Sequence, residues 1–169
     1  FYRGGPVLTS ALSGVEHALW DLTGKAVGLP VYRLLGGPLR DRIKVYAHAR
    51  GDTVEEMVAN AKAKVAQGFL ALKTGINGGR PARIIETPGF IDRVVDRIGA
   101  LRDAVGREID IAIDFHGAIS PQTAGTLMKA LEPIHPMFFE EIVQCQNIDV
   151  MAELARKTHI PIATGERLF

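Results

Sequence analysis

The sequence predicts an α/β fold, part of a parallel β/α barrel, and three observations lead to that prediction. Short apolar runs that are typical of buried strands alternate with segments of helical patterning. Three carboxylates, Asp114, Glu140 and Glu166, each end such a run, and both intervals between them are 26 residues. One strand, one helix and two loops need about that length. A complete eight-strand barrel needs about 250 residues, so this chain of 169 is expected to supply about five strands.

Residues 1–40 are predicted to precede the barrel. Apolar side chains from Leu12 to Leu22 recur at helical spacing, which predicts an amphipathic helix from Thr9 to Val27. Gly28 and Pro30 provide the stop signal. We expect this helix to pack its apolar face on the domain.

The barrel is predicted to occupy residues 41–169 and to break off after the fifth strand. The predicted strands are Ile43–His48, Phe69–Lys73, Ile109–Asp114, Met137–Glu140 and Ile160–Gly165. The predicted helices begin at Thr53, Gly89, Ser120 and Asn147 and end at Gly68, Val105, Leu131 and Lys157. Thr53 and Glu56 have the spacing of a capping box. A glycine- and proline-containing loop, Thr74 to Pro88, accounts for the longer interval between the second and third strands.

Composition excludes several classes of protein. The formal net charge is +1 and no apolar run approaches the roughly 20 residues of a membrane span, so we expect neither a membrane nor a nucleic acid as partner. A single cysteine, Cys145, and the absence of a signal pattern favour the cytoplasm. Because Phe1 is not an initiator methionine and Phe169 closely follows the third acid, both ends are expected to be cut from something longer.

The three carboxylates are predicted to form a metal site. Parallel barrel strands open on one face, so Asp114, Glu140 and Glu166 are expected to converge there. At about 4 Å and an effective dielectric near 20, each pair of these charges repels by roughly 4 kcal/mol. A divalent cation removes that repulsion, and a set of carboxylate oxygens without His or Cys favours Mg²⁺ over Zn²⁺. Solvated strand-end acids are the alternative interpretation.

Two further side chains are candidates for catalysis. His116 follows Asp114 by two residues, so an extended strand would project both side chains to one side. Its reference pKa of about 6.5 suits a proton donor. Lys73 ends the second strand and could act as a base, as a partner of a substrate carboxylate, or as a counter-charge to the acids. His48 ends the first strand and could reach the same mouth or be packed.

Several motifs together resemble a known family. They are Phe1-Tyr-Arg-Gly-Gly-Pro6, Ser13-Gly-Val-Glu-His-Ala-Leu-Trp-Asp21, Leu35-Gly-Gly-Pro38, Asp114-Phe-His116-Gly, Phe139-Glu-Glu141 and Gly165-Glu-Arg167. This set is similar to the enolase superfamily, mandelate racemase subgroup, and covers essentially the whole chain. Asp-Phe-His-Gly narrows the resemblance to acid-sugar dehydratases, of which the galactonate type is the most similar.

The resemblance implies Mg²⁺ held by Asp114, Glu140 and Glu166, and His116 as the general acid. Family members remove the α-proton of a sugar-acid carboxylate and expel the β-hydroxyl, which gives a 2-keto-3-deoxy acid. Their general base is a His paired with an Asp on later strands, so this chain alone is expected to be inactive. The sequence departs from the family at Ile142, where a proline is usual, and at Gly75, where racemases of the subgroup carry a second lysine.

Three interpretations stay open on the sequence alone. The first is the acid-sugar dehydratase, with galactonate as first-choice substrate. The second is another superfamily reaction on the same metal site, either dehydration of a different sugar acid or an epimerisation that uses Lys73. The third is a non-catalytic truncated barrel that self-associates through its open sheet edges. We expect a small-molecule sugar acid as partner and a homo-oligomeric protein.

Overall fold

The computed structural model describes residues 4–77 and 86–168, which form two compact units. The first unit contains residues 4–44 and 166–168, and the second contains residues 45–165. Phe1 to Arg3 of the amino-terminal motif and residues 78–85 of the predicted long loop lie outside the described residues. The predicted division into the end of a capping domain and the start of a barrel, at residue 40, stays a prediction.

The first unit contains two helices, α1 (Gly5–Val27) and α2 (Val31–Leu34). Helix α1 ends as predicted, because Gly28 adopts a left-handed conformation with φ 70° that glycine tolerates at little cost. Leu12, Val15, Leu19 and Leu22 of its apolar face are 58–65% exposed, and the expected packing of this face on the domain stays a prediction. An apolar stripe shows that a helix suits a packing partner, and it does not show where the partner lies.

The second unit alternates strands and helices in chain order. Its strands are β1 (Ala47–His48), β2 (Ala71–Gly75), β3 (Asp110–Asp114), β4 (Phe138–Glu140) and β5 (Ile162–Ala163). Its helices are α3 (Val54–Ala66), α4 (Pro88–Val105), α5 (Pro121–Leu131) and α6 (Ile148–Ala155), and a 3₁₀ turn spans Glu132–Ile134.

The five strands form one parallel sheet in the order β1-β2-β3-β4-β5. The predicted fold class is therefore confirmed. The strand bounds differ from the prediction in several places. Ile43 to Tyr46 lie before β1, where Ile43 is 77% exposed, and β2 begins and ends two residues later than predicted. β3 and β4 each begin one residue later, and β5 is shorter by two residues at each end. In a parallel sheet both faces are usually buried, so its strands are apolar on both sides. The buried side chains of β2 and β3 agree with this.

The helix starts follow local chemistry. Thr53 and Glu56 form the predicted capping box, in which the Thr53 hydroxyl accepts the Glu56 N–H and the Glu56 carboxylate accepts the Thr53 N–H. Ser120 caps α5 as predicted by accepting the Thr123 N–H. Asn147 is the residue before α6, but its side chain makes no capping hydrogen bond.

The core of the second unit lies between the sheet and its helices. Side chains without solvent exposure come from every layer: Leu72, Ile111, Ile113 and Phe139 from strands, and Met57, Ile98, Leu101 and Leu127 from helices. This packing fixes the strands, so the side chains at their carboxyl ends are held on a rigid frame. No helix in the described ranges is both long and apolar enough to cross a membrane.

Candidate metal and acid–base site

Asp114 and Glu140 are brought together by strand register. Asp114, the last residue of β3, pairs with Glu140, the last residue of β4. Neighbouring strands lie about 4.8 Å apart, so side chains at paired positions that share a face are direct neighbours. Asp114 is almost completely buried, at 2% exposure, and Glu140 is partly buried. Two of the three predicted metal ligands therefore meet at one point.

Lys73 of β2 lies between these two carboxylates. Its Nζ is 2.8 Å from Oδ2 of Asp114 and 2.6 Å from Oε2 of Glu140. Burial lowers the pKa of Lys73, but the hydrogen bonds and charges of Asp114 and Glu140 outweigh burial and raise that pKa above its ordinary value. In this arrangement Lys73 is the counter-charge of the two carboxylates.

His116 lies beside Asp114, as predicted, but by a different backbone route. The strand ends at Asp114, and His116 has φ 55°, which a non-glycine residue adopts only where its surroundings hold it. One carboxylate oxygen of Asp114 accepts the His116 N–H at 2.8 Å, and the other lies 3.3 Å from His116 Nε2. The assumption of a continuing extended strand was wrong, because this turn replaces it. The side chain is 56% exposed, so its imidazole is accessible.

Glu166 follows β5 by three residues and belongs to the first unit. Its Oε1 lies 3.5 Å from Nε of the adjacent Arg167. Within residues 4–77 and 86–168, no group of three or more His, Cys, Asp or Glu side chains is arranged to hold a metal ion. The metal role of Glu166 stays a prediction.

Glu141 is buried directly after Glu140. It has no solvent exposure and adopts φ 48°, and its Oε1 accepts the Thr164 hydroxyl at 2.6 Å. Its backbone also joins the neighbouring strand ends, since its carbonyl accepts the Gly117 N–H and its N–H donates to the Ala163 carbonyl. Through these hydrogen bonds Glu141 holds the backbone after β3 and β5 next to Glu140.

A cavity of about 370 Å³ opens beside the cluster. Its lining joins predicted residues to residues that sequence reasoning missed: His48, Lys73, Asp114 and His116 with Arg50, Asp52 and Arg97. Burial, and then the positive charges of Arg50 and Lys73, lower the pKa of His48. Arg50 and Asp52 could have been found from their position directly after a strand end. Arg97 lies inside α4 and gave no such signal.

Two family models match the chain. One, described as enolase C-terminal domain-like, matches residues 56–169. The other, described as the N-terminal domain of mandelate racemase and muconate lactonizing enzyme, matches residues 1–36. The N-terminal match lies within the predicted capping segment, residues 1–40, and the C-terminal match lies within the predicted barrel, residues 41–169.

Curated relatives and solved structures agree with these matches. D-galactonate dehydratases of Ralstonia pickettii and Pectobacterium atrosepticum are each 44% identical over all 169 residues, and the chain spans 44% of their length. A mandelate racemase/muconate lactonizing enzyme from Jannaschia is 35% identical, with a TM-score of 0.90 over 99% of this chain and 47% of that one. A similar protein from Rubrobacter xylanophilus is 36% identical, with a TM-score of 0.86 over 94% of this chain and 46% of that one.

Proposed function

The chain belongs to the family of enolase C-terminal domain-like proteins, and on that premise we propose that it forms part of the active site of a sugar-acid dehydratase. D-galactonate is the first-choice substrate, because the relatives that are 44% identical carry that name. The proposed reaction removes the proton next to the carboxylate and eliminates the β-hydroxyl, which gives a 2-keto-3-deoxy acid. The observation that carries the proposal is the cluster of Lys73, Asp114 and Glu140 with His116 beside it.

The residues present fit a hard divalent cation. Oδ2 of Asp114 and Oε2 of Glu140 both face one point, and a positive charge, the ammonium of Lys73, already lies there. Carboxylate oxygens are the ligands that Mg²⁺ prefers. We propose that Asp114 and Glu140 hold Mg²⁺ together with Glu166, the ligand that family resemblance adds. Bound there, Mg²⁺ would neutralise the negative charge that develops when the α-proton leaves.

His116 is proposed to donate the proton that the departing hydroxyl needs. Its imidazole is accessible, and Nε2 lies 3.3 Å from Oδ2 of Asp114, so the ring stands at the edge of the carboxylate cluster where a substrate hydroxyl can approach it. Hydroxide is a poor leaving group, and protonation converts it to water. Such acid catalysis typically contributes about 10²- to 10⁴-fold in rate.

Lys73 is proposed to supply a fixed positive charge. Its ammonium lies 2.8 Å from Oδ2 of Asp114 and 2.6 Å from Oε2 of Glu140, so it can counter these two charges and the charge of a substrate carboxylate placed beside them. An epimerisation that uses Lys73 as the base is the second candidate, and the exchange measurement below tests it.

Two wider expectations are also proposals. A homo-oligomer working in the cytoplasm fits the apolar side chains that α1 exposes and the single, buried Cys145. The 169 residues by themselves are proposed to be inactive, since family resemblance assigns the base to later strands. Size measurement by light scattering would test the first statement, and a turnover assay of the isolated chain would test the second.

The proposed function is tested by turnover. The product of the complete gene is supplied with Mg²⁺ and a panel of sugar acids, and 2-keto-3-deoxy product is measured alongside exchange of the α-proton with solvent deuterium. We expect product from galactonate, and none after Asp114→Asn. Exchange without any keto product would replace dehydration by epimerisation. A protein with neither activity on any acid would contradict both enzymatic interpretations.

A further inference from the structure

The cavity beside the metal cluster extends to a loop that the proposed reaction does not use. Arg50 and Asp52, in the loop after β1, line the same cavity as Lys73 and Asp114. The strand order puts β1 two strands away from β3, a separation of about 10 Å. A six-carbon chain spans about 6 Å at ordinary bond lengths. A sugar acid whose reacting end lies at Asp114 can therefore extend towards Arg50.

The backbone around Arg50 is held firmly. The Arg50 N–H donates to Oδ1 of Asn60 at 3.1 Å, and the Asp52 and Thr53 N–H groups donate to Oε2 of Glu56. Gly51 has no room for a side chain, because a Cβ would lie 2.2 Å from the Met57 nitrogen. The loop is thus fixed against the start of α3.

Arg97 fixes the loop from below. It lies in the middle of α4, is only 7% exposed, and its Nη2 donates to the Gly51 carbonyl at 2.6 Å. Burying a guanidinium is costly, and this hydrogen bond joins two segments 46 residues apart. The effect is a rigid wall of the cavity that carries Arg50.

The guanidinium of Arg50 is available for a ligand. Arg50 is exposed, and its side chain makes no hydrogen bond or ion pair with any residue in the described ranges. An arginine presents several fixed donors, which suit the oxygen atoms of neighbouring hydroxyl groups. Because the backbone that carries the guanidinium is already fixed, only the freedom of the side chain itself is lost when it binds a ligand.

We propose that Arg50 is a specificity-determining residue, which donates hydrogen bonds to the hydroxyl groups of the sugar acid at the end remote from its carboxylate. This rests on the proposed function, because it requires that a sugar acid reacts at the Asp114 cluster. It also narrows the substrate class: a polyhydroxy acid long enough to extend from Asp114 to within reach of the Arg50 side chain, with four-carbon acids too short to use the contact.

The test compares chain lengths. For the complete gene product, kcat and KM are measured with the preferred six-carbon acid and with a four-carbon trihydroxy acid, whose inhibition constant is used if it is not turned over. The variants are Arg50→Ala, Arg50→Lys and, as a matched exposed arginine away from the cavity, Arg107→Ala. We expect Arg50→Ala to lower kcat/KM for the six-carbon acid by about ten- to a hundredfold, mainly through KM. The four-carbon acid should be unaffected, and Arg50→Lys should recover part of the loss.

The outcomes separate the two proposals. Equal losses on both acids, no loss at all, or a matching loss in Arg107→Ala would overturn the role of Arg50 and leave the dehydratase standing. A wild-type protein that converts no sugar acid would overturn the proposed function and the role of Arg50 with it.

Discussion

The ammonium of Lys73 on β2 reaches the carboxylate of Glu140 on β4 across the full width of β3, with Nζ 2.6 Å from Oε2. Strands two positions apart are separated by about 10 Å, which the long stem of a lysine and the side chain of a glutamate together can span. Asp114, on the intervening strand, joins the same ammonium at 2.8 Å. One positive charge therefore links three consecutive strands at the end where the proposed chemistry takes place.

Replacing Lys73 by methionine should destabilise the protein. Lys73→Met keeps much of the stem but leaves two neighbouring carboxylates, one of them buried, without their counter-charge. Breaking such a pair costs about 3 kcal/mol. The free energy of unfolding from urea denaturation in Mg²⁺-free buffer measures the loss. Lys62→Met, on the exposed face of α3, is the control, and an equal effect of both variants would show that the ion pairs contribute nothing.

Magnesium binding should depend on Asp114 and Glu140 and not on Glu153, which lies on α6. Loss of a residue that only supports a metal ligand already weakens binding by about 10- to 100-fold, so Asp114→Asn or Glu140→Gln should weaken it at least tenfold. Glu153→Gln, an exposed carboxylate on α6, is the control and should bind Mg²⁺ as wild type does. Calorimetric titration of the complete gene product measures all three.

Glu166→Gln, in the same titration, tests the third ligand. A loss as large as that of Asp114→Asn is expected. Unchanged binding in Glu166→Gln would restrict the site to the two carboxylates that the strand register brings together, and unchanged binding in all variants would remove the metal site.

Loss of His116 should separate the two halves of the reaction. His116→Asn removes the proton donor, so we expect the rate of dehydration to fall by about 10²- to 10⁴-fold. Exchange of the α-proton with solvent should persist, because it needs only the base and the metal. Mass spectrometry of substrate recovered from deuterium oxide measures exchange. His159→Asn, whose side chain is 72% exposed, should behave as wild type. Equal loss of exchange and dehydration would assign His116 a different role.

Two glycine substitutions should act in opposite directions. In Gly51→Ala the new Cβ would lie 2.2 Å from the Met57 nitrogen and 2.6 Å from the Glu56 carbonyl carbon, so the backbone must move, at about 1–3 kcal/mol. Gly99→Ala places a methyl group in open space within α4 and should stabilise the protein by about 0.5–1 kcal/mol. Unfolding midpoints of the two variants provide the comparison, and the same sign for both would contradict the described geometry of the Gly51 loop.

Glu86 should contribute stability that acid removes. Burial raises the pKa of Glu86, but hydrogen bonds from Ser120 and Thr123 outweigh it and lower the pKa below its ordinary value. The contribution is therefore complete above the unfolded pKa of about 4.3 and disappears as the pH falls through the lower folded value. Since Glu86 is partly exposed, we expect about 1 kcal/mol. Glu86→Gln should flatten the dependence of the unfolding free energy on pH below 5; an unchanged slope would exclude this contact.

Regular spacing made much of the fold predictable. Buried parallel strands are apolar along their whole length, and each ends where a polar residue appears. The ends of β3 and β4 could therefore be predicted from the positions of Asp114 and Glu140. Capping chemistry is equally local, which is why Thr53 and Ser120 were identified correctly. The short extent of β1 was not predictable. The alternation of apolar and polar residues from Ile43 to His48 indicates a preference for strand conformation. How many of these residues form a strand depends on their pairing with β2.

The site was predictable where it depends on register and not where it depends on turns or tertiary contacts. Asp114 and Glu140 follow from parallel pairing alone. His116 contacts Asp114 because the backbone makes a left-handed turn at His116. The sequence predicts instead that the strand continues to His116. The wall formed by Arg50 and Arg97 depends on a hydrogen bond between distant segments, and no pattern along the chain records it.

The shortness of β1 has a consequence for how its end is held. β1 and β5 have two residues each, whereas β2 and β3 have five. The number of backbone hydrogen bonds between two strands increases with the length over which they pair. The position of His48, at the end of β1, should therefore depend more on side-chain packing, and the position of Asp114, at the end of β3, more on the backbone ladder.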